Sequence, residues 1–388
     1  MALDPATRHD LLTTLRRFVD QRLIPMEAKV AEADAIPENL VEEMRALGLF
    51  GLTIPEAYGG LGLGMEDEVL AIFVLSRAAP AFRSVFATNI GIGSQGIVID
   101  GTEAQKARYL PALASGAMIG SFALTEPDVG SDAGSLKTTA RREGDHYILN
   151  GTKRFITNAP QAGLFTVMAR TQAEVKGAAG VSAFLVERGT PGLSLGRPEK
   201  KMGQQGAQIC DVIFDNARVP AENLIGGIEG QGFRTAMKVL DKGRLSIAAA
   251  CTGLAERMLD DMMDYAIGRQ QFGRPIAEFQ LLQGLFADCK AAAMASRALV
   301  LDAARRRDAG ESVSLAASCA KMFASEMVGK VADCNVQVHG GNGYIRDYRA
   351  EQLFRDARLF RIYEGTTQIQ QTIIAKAMIE EARARAGH

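Results

Sequence analysis

Along this 388-residue chain the apolar positions keep one period at both ends and another in the middle. Between Leu11 and about Ala117 they recur mostly at helical spacing, as in Leu11, Leu15, Phe18 and Val19 and again in Leu40, Met44 and Leu47. Breaks at Ile36-Pro37, across Ile54-Pro55-Glu56-Ala57-Tyr58-Gly59-Gly60 and at Asp100-Gly101 cut this part into several helices. From Ile119 to about Ile225 the period becomes two, in Tyr147 to Leu149, Phe165 to Arg170, Ser182 to Glu187 and Asp211 to Phe214, with turn residues at Glu143-Gly144-Asp145 and Asn150-Gly151. Beyond Gly232 long helical patterns return over Leu240 to Arg269, Phe279 to Asp308 and Ser314 to Val338. The pattern predicts a mainly α chain with a central β domain, divided into an N-terminal helical unit at 1–117, a β unit at 118–227 and a C-terminal helical unit at 228–388.

Composition narrows the partners. Lys+Arg 44 against Asp+Glu 45 leaves a formal net charge of -1, which gives no general attraction to nucleic acid or anionic membranes. No apolar run approaches the ~20 residues of a membrane span, and the segment MALDPATRHDLL has neither a signal-peptide h-region nor a transit-peptide composition. Cys210, Cys251, Cys289, Cys319 and Cys334 are scattered without C-x-x-C spacing, so neither a disulfide framework nor a metal site is indicated. These features predict a cytoplasmic protein with small-molecule partners.

The candidate chemistry centres on Arg361 to Gln370, RIYEGTTQIQ. Thr367 and Gln370 have capping-box spacing, and Ile369, Ile373, Ile374, Ala377 and Met378 follow at helical intervals, so a helix is predicted to start just after Gly365. Glu364 then projects from a loop near backbone N–H donors, either as a general base beside an anion-stabilising hole or as a carboxylate favoured by the helix macrodipole. Two further stretches gather polar groups around a glycine turn and a strand: Ala123 to Asp132, ALTEPDVGSD, and Lys153 to Asn158, KRFITN. On the second, Phe155 and Thr157 share a strand face and offer a ring and a hydroxyl to a flat heterocycle. Gly91 to Gly96 matches G-x-G-x-x-G, yet no isolated strand precedes it, no βαβ alternation follows and no acidic residue stands about 20 residues on, so it reads as close helix packing.

Together ALTEPDVGSD, NGTKRFITN, the RQQFGRPIAEFQ run from Arg269, QVHGGNGYIRDY from Gln337 and RDARLFRIYEGTTQIQ resemble the acyl-CoA dehydrogenase family, in order and over nearly the whole chain. The resemblance is to its short-chain and glutaryl-CoA dehydrogenase-like members. It implies the acyl-CoA dehydrogenase fold, with a helical N-domain, a β-barrel-like middle domain and a C-terminal four-helix bundle. It also implies FAD between the last two, a homotetramer, an acyl-CoA substrate and electron-transfer flavoprotein as acceptor. On this likeness Glu364 matches the base that removes the α-proton while the β-hydride passes to the flavin, and no metal takes part. Some members place the base instead on the helix containing Leu240 to Leu245, where this chain has Gly243, which cannot act as one.

The family pattern assigns the cofactor to Phe122, Leu124, Thr125, Gly130 and Ser131, to Phe155, Ile156 and Thr157 against the flavin ring, and to Gln337, Gly340, Gly341, Thr366 and Gln368 on the adenine and pyrophosphate side. Arg269, Phe272 and Gln280 match positions that reach the FAD of a neighbouring subunit. Phe155 stands where many members carry Trp, and this chain has Trp 0. Ser131, Asp241, Arg244, Tyr363 and Gly365 match substrate positions, and the backbone N–H matching Glu364 polarises the thioester carbonyl. Arg83, in Phe82-Arg83-Ser84, resembles the arginine that faces the distal carboxylate in glutaryl-CoA dehydrogenase, and also a branch acting on 3-sulfinopropionyl-CoA; equally, it caps a helix or pairs with a nearby carboxylate. Direct use of oxygen, as in an acyl-CoA oxidase, is a further alternative.

Overall fold

In the computed structural model, residues 3–175 and 177–386 are described. The N-terminal part holds α1 (Pro5–Phe18), α2 (Glu27–Ala33), α3 (Glu38–Ala46), α4 (Met65–Leu75), α5 (Pro80–Thr88), α6 (Ser94–Asp100) and α7 (Glu103–Ser115). Two of their starts, those of α1 and α7, are capped by local side chains. Asp4 accepts the amides of Ala6 and Thr7 ahead of a Pro at the first helical position, and Thr102 with Gln105 forms a full capping box on α7. The middle part holds β1 (Gly120–Ala123), β2 (Thr139–Glu143), β3 (His146–Thr157), β4 (Leu164–Arg170), β5 (Val181–Glu187), β6 (Leu193–Leu195) and β7 (Ile209–Pro220). Next come α8 (Gly232–Gly268), a small hairpin of β8 (Gln270–Gln271) and β9 (Arg274–Pro275), α9 (Gln280–Asp308), α10 (Ser314–His339), α11 (Ala350–Ala357) and α12 (Thr367–Ala386).

In the sheet, β4 runs parallel to β1 and antiparallel to β5, while β3 lies antiparallel to both β2 and β7. Alternate residues of β4 and β5 enter two different cores: Phe165, Val167, Phe184 and Val186 pack on one side, and Leu164, Met168, Ala183 and Leu185 on the other. Asn150-Gly151 is not the turn its sequence predicts. Both residues lie inside β3 at a bulge, where Gly151 has φ 146° and a Cβ would come within 2.5 Å of Thr138 Oγ1. The Asn150 side chain accepts the Asn216 amide across the pair, so β3 continues past the glycine. In the G-x-G-x-x-G segment, Gly93 packs so closely on β1 that a Cβ would lie 2.8 Å from the Gly120 carbonyl carbon.

The helical ends of the chain are not two cores. Buried apolar residues of α1, α4 and α5 form one continuous cluster with those of α8, α9 and α10. The site lies where this common core meets the sheet.

Candidate active site

A cavity of about 660 Å³ opens between α5, α8, the ends of the sheet and the loop before α12. Its sheet-side wall begins with the Thr125–Asp132 loop. Glu126 is buried and accepts the Lys137 and Thr138 amides and the Nζ of fully buried Lys153 at 2.7 Å, while Lys153 also donates to the Leu124 carbonyl. The ammonium holds the Glu126 carboxyl below its ordinary range, and burial pushes Lys153 down to about 8. The loop is thereby fixed with Thr125, Gly130 and Ser131 on the cavity.

A second irregularity of β3, between Lys153 and Ile156, places Phe155 at φ 58° with its ring 53% exposed on the cavity. Thr157 lines the same wall, and the Arg154 guanidinium stands 4.9 Å from the Phe155 ring centroid. Phe122 and Ile156, by contrast, send their side chains into the cores, and Leu124 packs against one. Only their backbones are left to meet a ligand. Asn158, also at positive φ, ties this wall to α5 by donating to the Ser84 and Val85 carbonyls.

On the opposite wall Glu364 and Gly365 both adopt positive φ, 55° and 85°. This bend turns the Glu364 carboxylate onto α8 at Gly243, where a Cβ would lie 2.4 Å from Oε2. Oε2 is shut off from solvent and has no hydrogen-bond partner among the described residues. Burial raises the Glu364 carboxyl above its ordinary value, and Arg83, Arg244 and Lys321 oppose that rise. The bend is held by its carbonyls. Gln370 donates to those of Glu364 and Gly365 at 3.2 Å each, and fully buried Lys321 donates to Gly365 at 2.7 Å. The helix cap is Thr366, whose hydroxyl accepts the Ile369 amide; Thr367 instead donates to Glu326 at 2.6 Å. The capping residue is thus one position earlier than the sequence spacing predicts, because Glu326 on α10 captures the second hydroxyl. Among the described residues, the Glu364 N–H makes no hydrogen bond within the chain.

Arg83, Tyr363, Gly365 and Thr366 also line the cavity, whereas Asp241 and Arg244 do not: Arg244 is buried and bonded to Asp241 at 2.5 Å. Arg83 is buried in α5 and donates to Ser246 at 2.8 Å, its Nε has no partner, and no carboxylate is within ion-pair distance among the described residues. Gln204, buried beside it on the wall, bonds the backbone of Asp356 and interacts with Tyr363. The remaining predicted positions lie elsewhere. Arg269 precedes the β8–β9 hairpin, Phe272 sits in its turn and Gln280 follows it, all exposed, with Phe272 at 92%; Gln337, Gly340, Gly341 and Gln368 are exposed near the end of α10 and the start of α12.

An aromatic face, three hydroxyls and a glycine on one wall, facing a half-buried carboxylate with one orphaned oxygen on the other, suit a flat polar heterocycle with a substrate between. Comparison with known proteins decides the lineage. Family models described as "Acyl-CoA dehydrogenase, N-terminal domain", "middle domain" and "C-terminal domain" match residues 5–117, 121–217 and 230–379. The chain belongs to the acyl-CoA dehydrogenase family. It is 43% identical to an acyl-CoA dehydrogenase of Bacillus subtilis (strain 168) over 94% of this chain and 96% of that one. Its fold is similar to butyryl-CoA dehydrogenase from Megasphaera elsdenii, with TM-score 0.93, 35% identity and coverage of 98% and 99%. A glutaryl-coenzyme A dehydrogenase in complex with glutaryl-CoA is nearly as close, with TM-score 0.92, 34% identity and coverage of 98% and 96%. The dehydrogenase is therefore an FAD-dependent oxidoreductase that acts on a CH–CH bond and converts an acyl-CoA to its α,β-enoyl thioester. Overall likeness to a butyryl and a glutaryl enzyme is about equal, so the acyl group must be argued from the site.

Four residues central to this geometry had no assigned role in the sequence: Lys153, Glu126, Gln204 and Lys321. For Lys321 the only signal is a lone cation in the small, apolar stretch AASCAKMFAS.

Proposed function

We propose that Glu364 is the base of the dehydrogenation. The supporting observation is its orphaned Oε2, held at Gly243 in a cavity wall that faces Phe155 and Thr157. Phe155 and Thr157 would hold the ring of FAD, with Thr125 and Ser131 toward its polar groups, and the bound cofactor would supply the acceptor for the β-hydride. Glu364 takes the α-proton, and its backbone N–H, which makes no hydrogen bond among the described residues, would polarise the thioester carbonyl and so acidify this proton. The base works as the carboxylate. Because burial raises its pKa from the ordinary 4.5, the acidic limb of the rate profile lies above that value, with activity present at higher pH and lost as pH falls through it. Glu364→Gln keeps FAD and thioester binding and slows stopped-flow flavin reduction by ~10³-fold or more. Reduction within about tenfold of wild type would return Glu364 to a helix-dipole role.

One observation favours a second reading for the acyl group: the cavity-facing cation Arg83 acts on Glu364 only at longer range and, among the described residues, forms no contact ion pair with a carboxylate. We read it as the partner of a distal carboxylate or sulfinate on a short CoA thioester. Anaerobic bleaching by glutaryl-, 3-sulfinopropionyl-, butyryl- and hexanoyl-CoA separates the readings, and faster bleaching by the apolar pair removes this one. The rest of the assembly follows the family: the exposed β8–β9 hairpin carries Arg269, Phe272 and Gln280 toward the FAD of a neighbour in a homotetramer, and Gln337, Gly340, Gly341, Thr366 and Gln368 serve the adenine side. Electron-transfer flavoprotein takes the electrons. The divisions at 117 and 227 bound the middle β domain, while the helical segments on either side share one core, and five unpaired cysteines suit the cytoplasm.

A further inference from the structure

Lys321 stands on α10, behind the bend that carries Glu364, and none of its surface is exposed. Its hydrogen-bond partner is the Gly365 carbonyl at 2.7 Å, and no carboxylate is within ion-pair distance of it among the described residues. A buried ammonium in that position is costly unless something gains from its charge. Two features of the bend identify the gain. Glu364 is a non-glycine residue in the left-handed region, a conformation that needs external support, and the carbonyls leaving the bend are the groups that Lys321 and Gln370 hold. We propose that Lys321 is a positioning residue for the proton-abstracting carboxylate, its ammonium fixing the left-handed Glu364–Gly365 bend through the Gly365 carbonyl and supplying the nearby charge that keeps Glu364 ionised.

The inference rests on Glu364 being the base, and it adds the device that aims that base. Arg83 from α5, Arg244 from α8 and, with the smallest effect of the three, Lys321 from α10 all favour the carboxylate form, so the charge of Lys321 adds to that of the two arginines. Around Lys321 itself stand the Cys251 thiol and Arg244 from α8, Glu326 from its own helix, and Glu364. Burial pushes Lys321 down to about 8, which leaves it charged at neutral pH. Of the three cations, Lys321 is the one bonded to the peptide next to Glu364. Gln370 holds the same carbonyls without charge and cannot replace this effect.

The test uses FAD-loaded enzyme and reads three quantities: thioester binding from the flavin spectrum, the flavin reduction rate, and the pH dependence of that rate. Lys321→Met binds thioester within ~3-fold of wild type, reduces flavin ~10–100-fold more slowly, and moves the acidic limb to higher pH by about one pH unit. Lys321→Arg, which keeps the charge but seats it differently, lowers the rate while leaving the acidic limb at its wild-type position. If the methionine variant does not fold, Lys321→Gln, which retains a polar donor without charge, must show the same displaced limb. A wild-type limb in either neutral variant overturns the proposal, as does a displaced limb in the arginine variant. Glu364→Gln run alongside separates the two claims: surviving reduction there defeats the base assignment, whereas a dead Glu364→Gln with a wild-type limb in the neutral Lys321 variants defeats only the role of Lys321.

Discussion

The two walls of the cavity each depend on a fully buried lysine, and the two lysines are neutralised differently. Lys153 on the sheet side meets Glu126 at 2.7 Å and closes an ion pair under the Thr125–Asp132 loop. Lys321 on the helical side meets only a carbonyl, and its charge is compensated across a peptide by the Glu364 carboxylate. Burial pushes both down to about 8, so environment alone does not distinguish them. Partner geometry does. A contact ion pair uses up its field locally and leaves a fixed, hydrogen-bonded platform, whereas an ammonium on a carbonyl leaves its field free to act on an ionisable neighbour.

The strongest way to break this comparison is Lys153→Met. It strands the Glu126 carboxylate in a buried site, and a broken buried pair costs about 3–5 kcal/mol. Denaturant unfolding of the holoenzyme, alongside its FAD content, reads the loss; less than 1 kcal/mol with flavin retained would mean the pair does not hold the loop. Next comes Arg83→Ala, since truncating one side of a desolvated charged contact costs about 2–5 kcal/mol. It lowers kcat/KM on glutaryl- or 3-sulfinopropionyl-type thioesters and holds or raises it on butyryl- or hexanoyl-CoA. Equal losses on both classes would make Arg83 structural. Smallest is Gly243→Ala, whose Cβ would meet Glu364 Oε2 at 2.4 Å and displace the base from its seat. Flavin reduction falls ~10–100-fold with FAD content unchanged, because a base moved by about an ångström loses alignment. An unaffected rate would show that the left-handed bend tolerates a displaced carboxylate and would weaken the case for tight positioning.

Much of this was legible in the sequence because periodicity is a local property. The long helices over Phe279 to Asp308 and Ser314 to Val338 and the strand at Phe165 to Arg170 end within a residue or two of where their spacing put them. Phe155, Thr157 and Glu364 were legible as a constellation only through the family likeness, since residues so far apart in the chain meet by tertiary packing alone. Other features stayed hidden for definite reasons. Asn-Gly reads as a turn unless a bulge absorbs its positive φ, and the closeness of Thr138, which leaves no room for a Cβ at Gly151, is a tertiary contact that local sequence does not show. Two adjacent threonines compete for one cap, and the loser is the one Glu326 captures from another helix. For Lys321 the local sequence shows a lone cation but not its partner, because that partner is a backbone carbonyl, which any residue type could supply.

The shared helical core bears on how the site comes apart. With α1, α4 and α5 packed into the same interior as α8 to α10, the sheet is topologically an insertion into one helical body whose halves are contributed by the two ends of the chain. Neither half buries its apolar surface without the other, so loosening of the first helices is expected to loosen α8 in the same event. The contact between Arg83 on α5 and Ser246 on α8 crosses that seam inside the cavity wall. This wall of the cavity therefore senses whether the two ends of the chain are still joined, and a ligand held tightly against it would act there as a rivet.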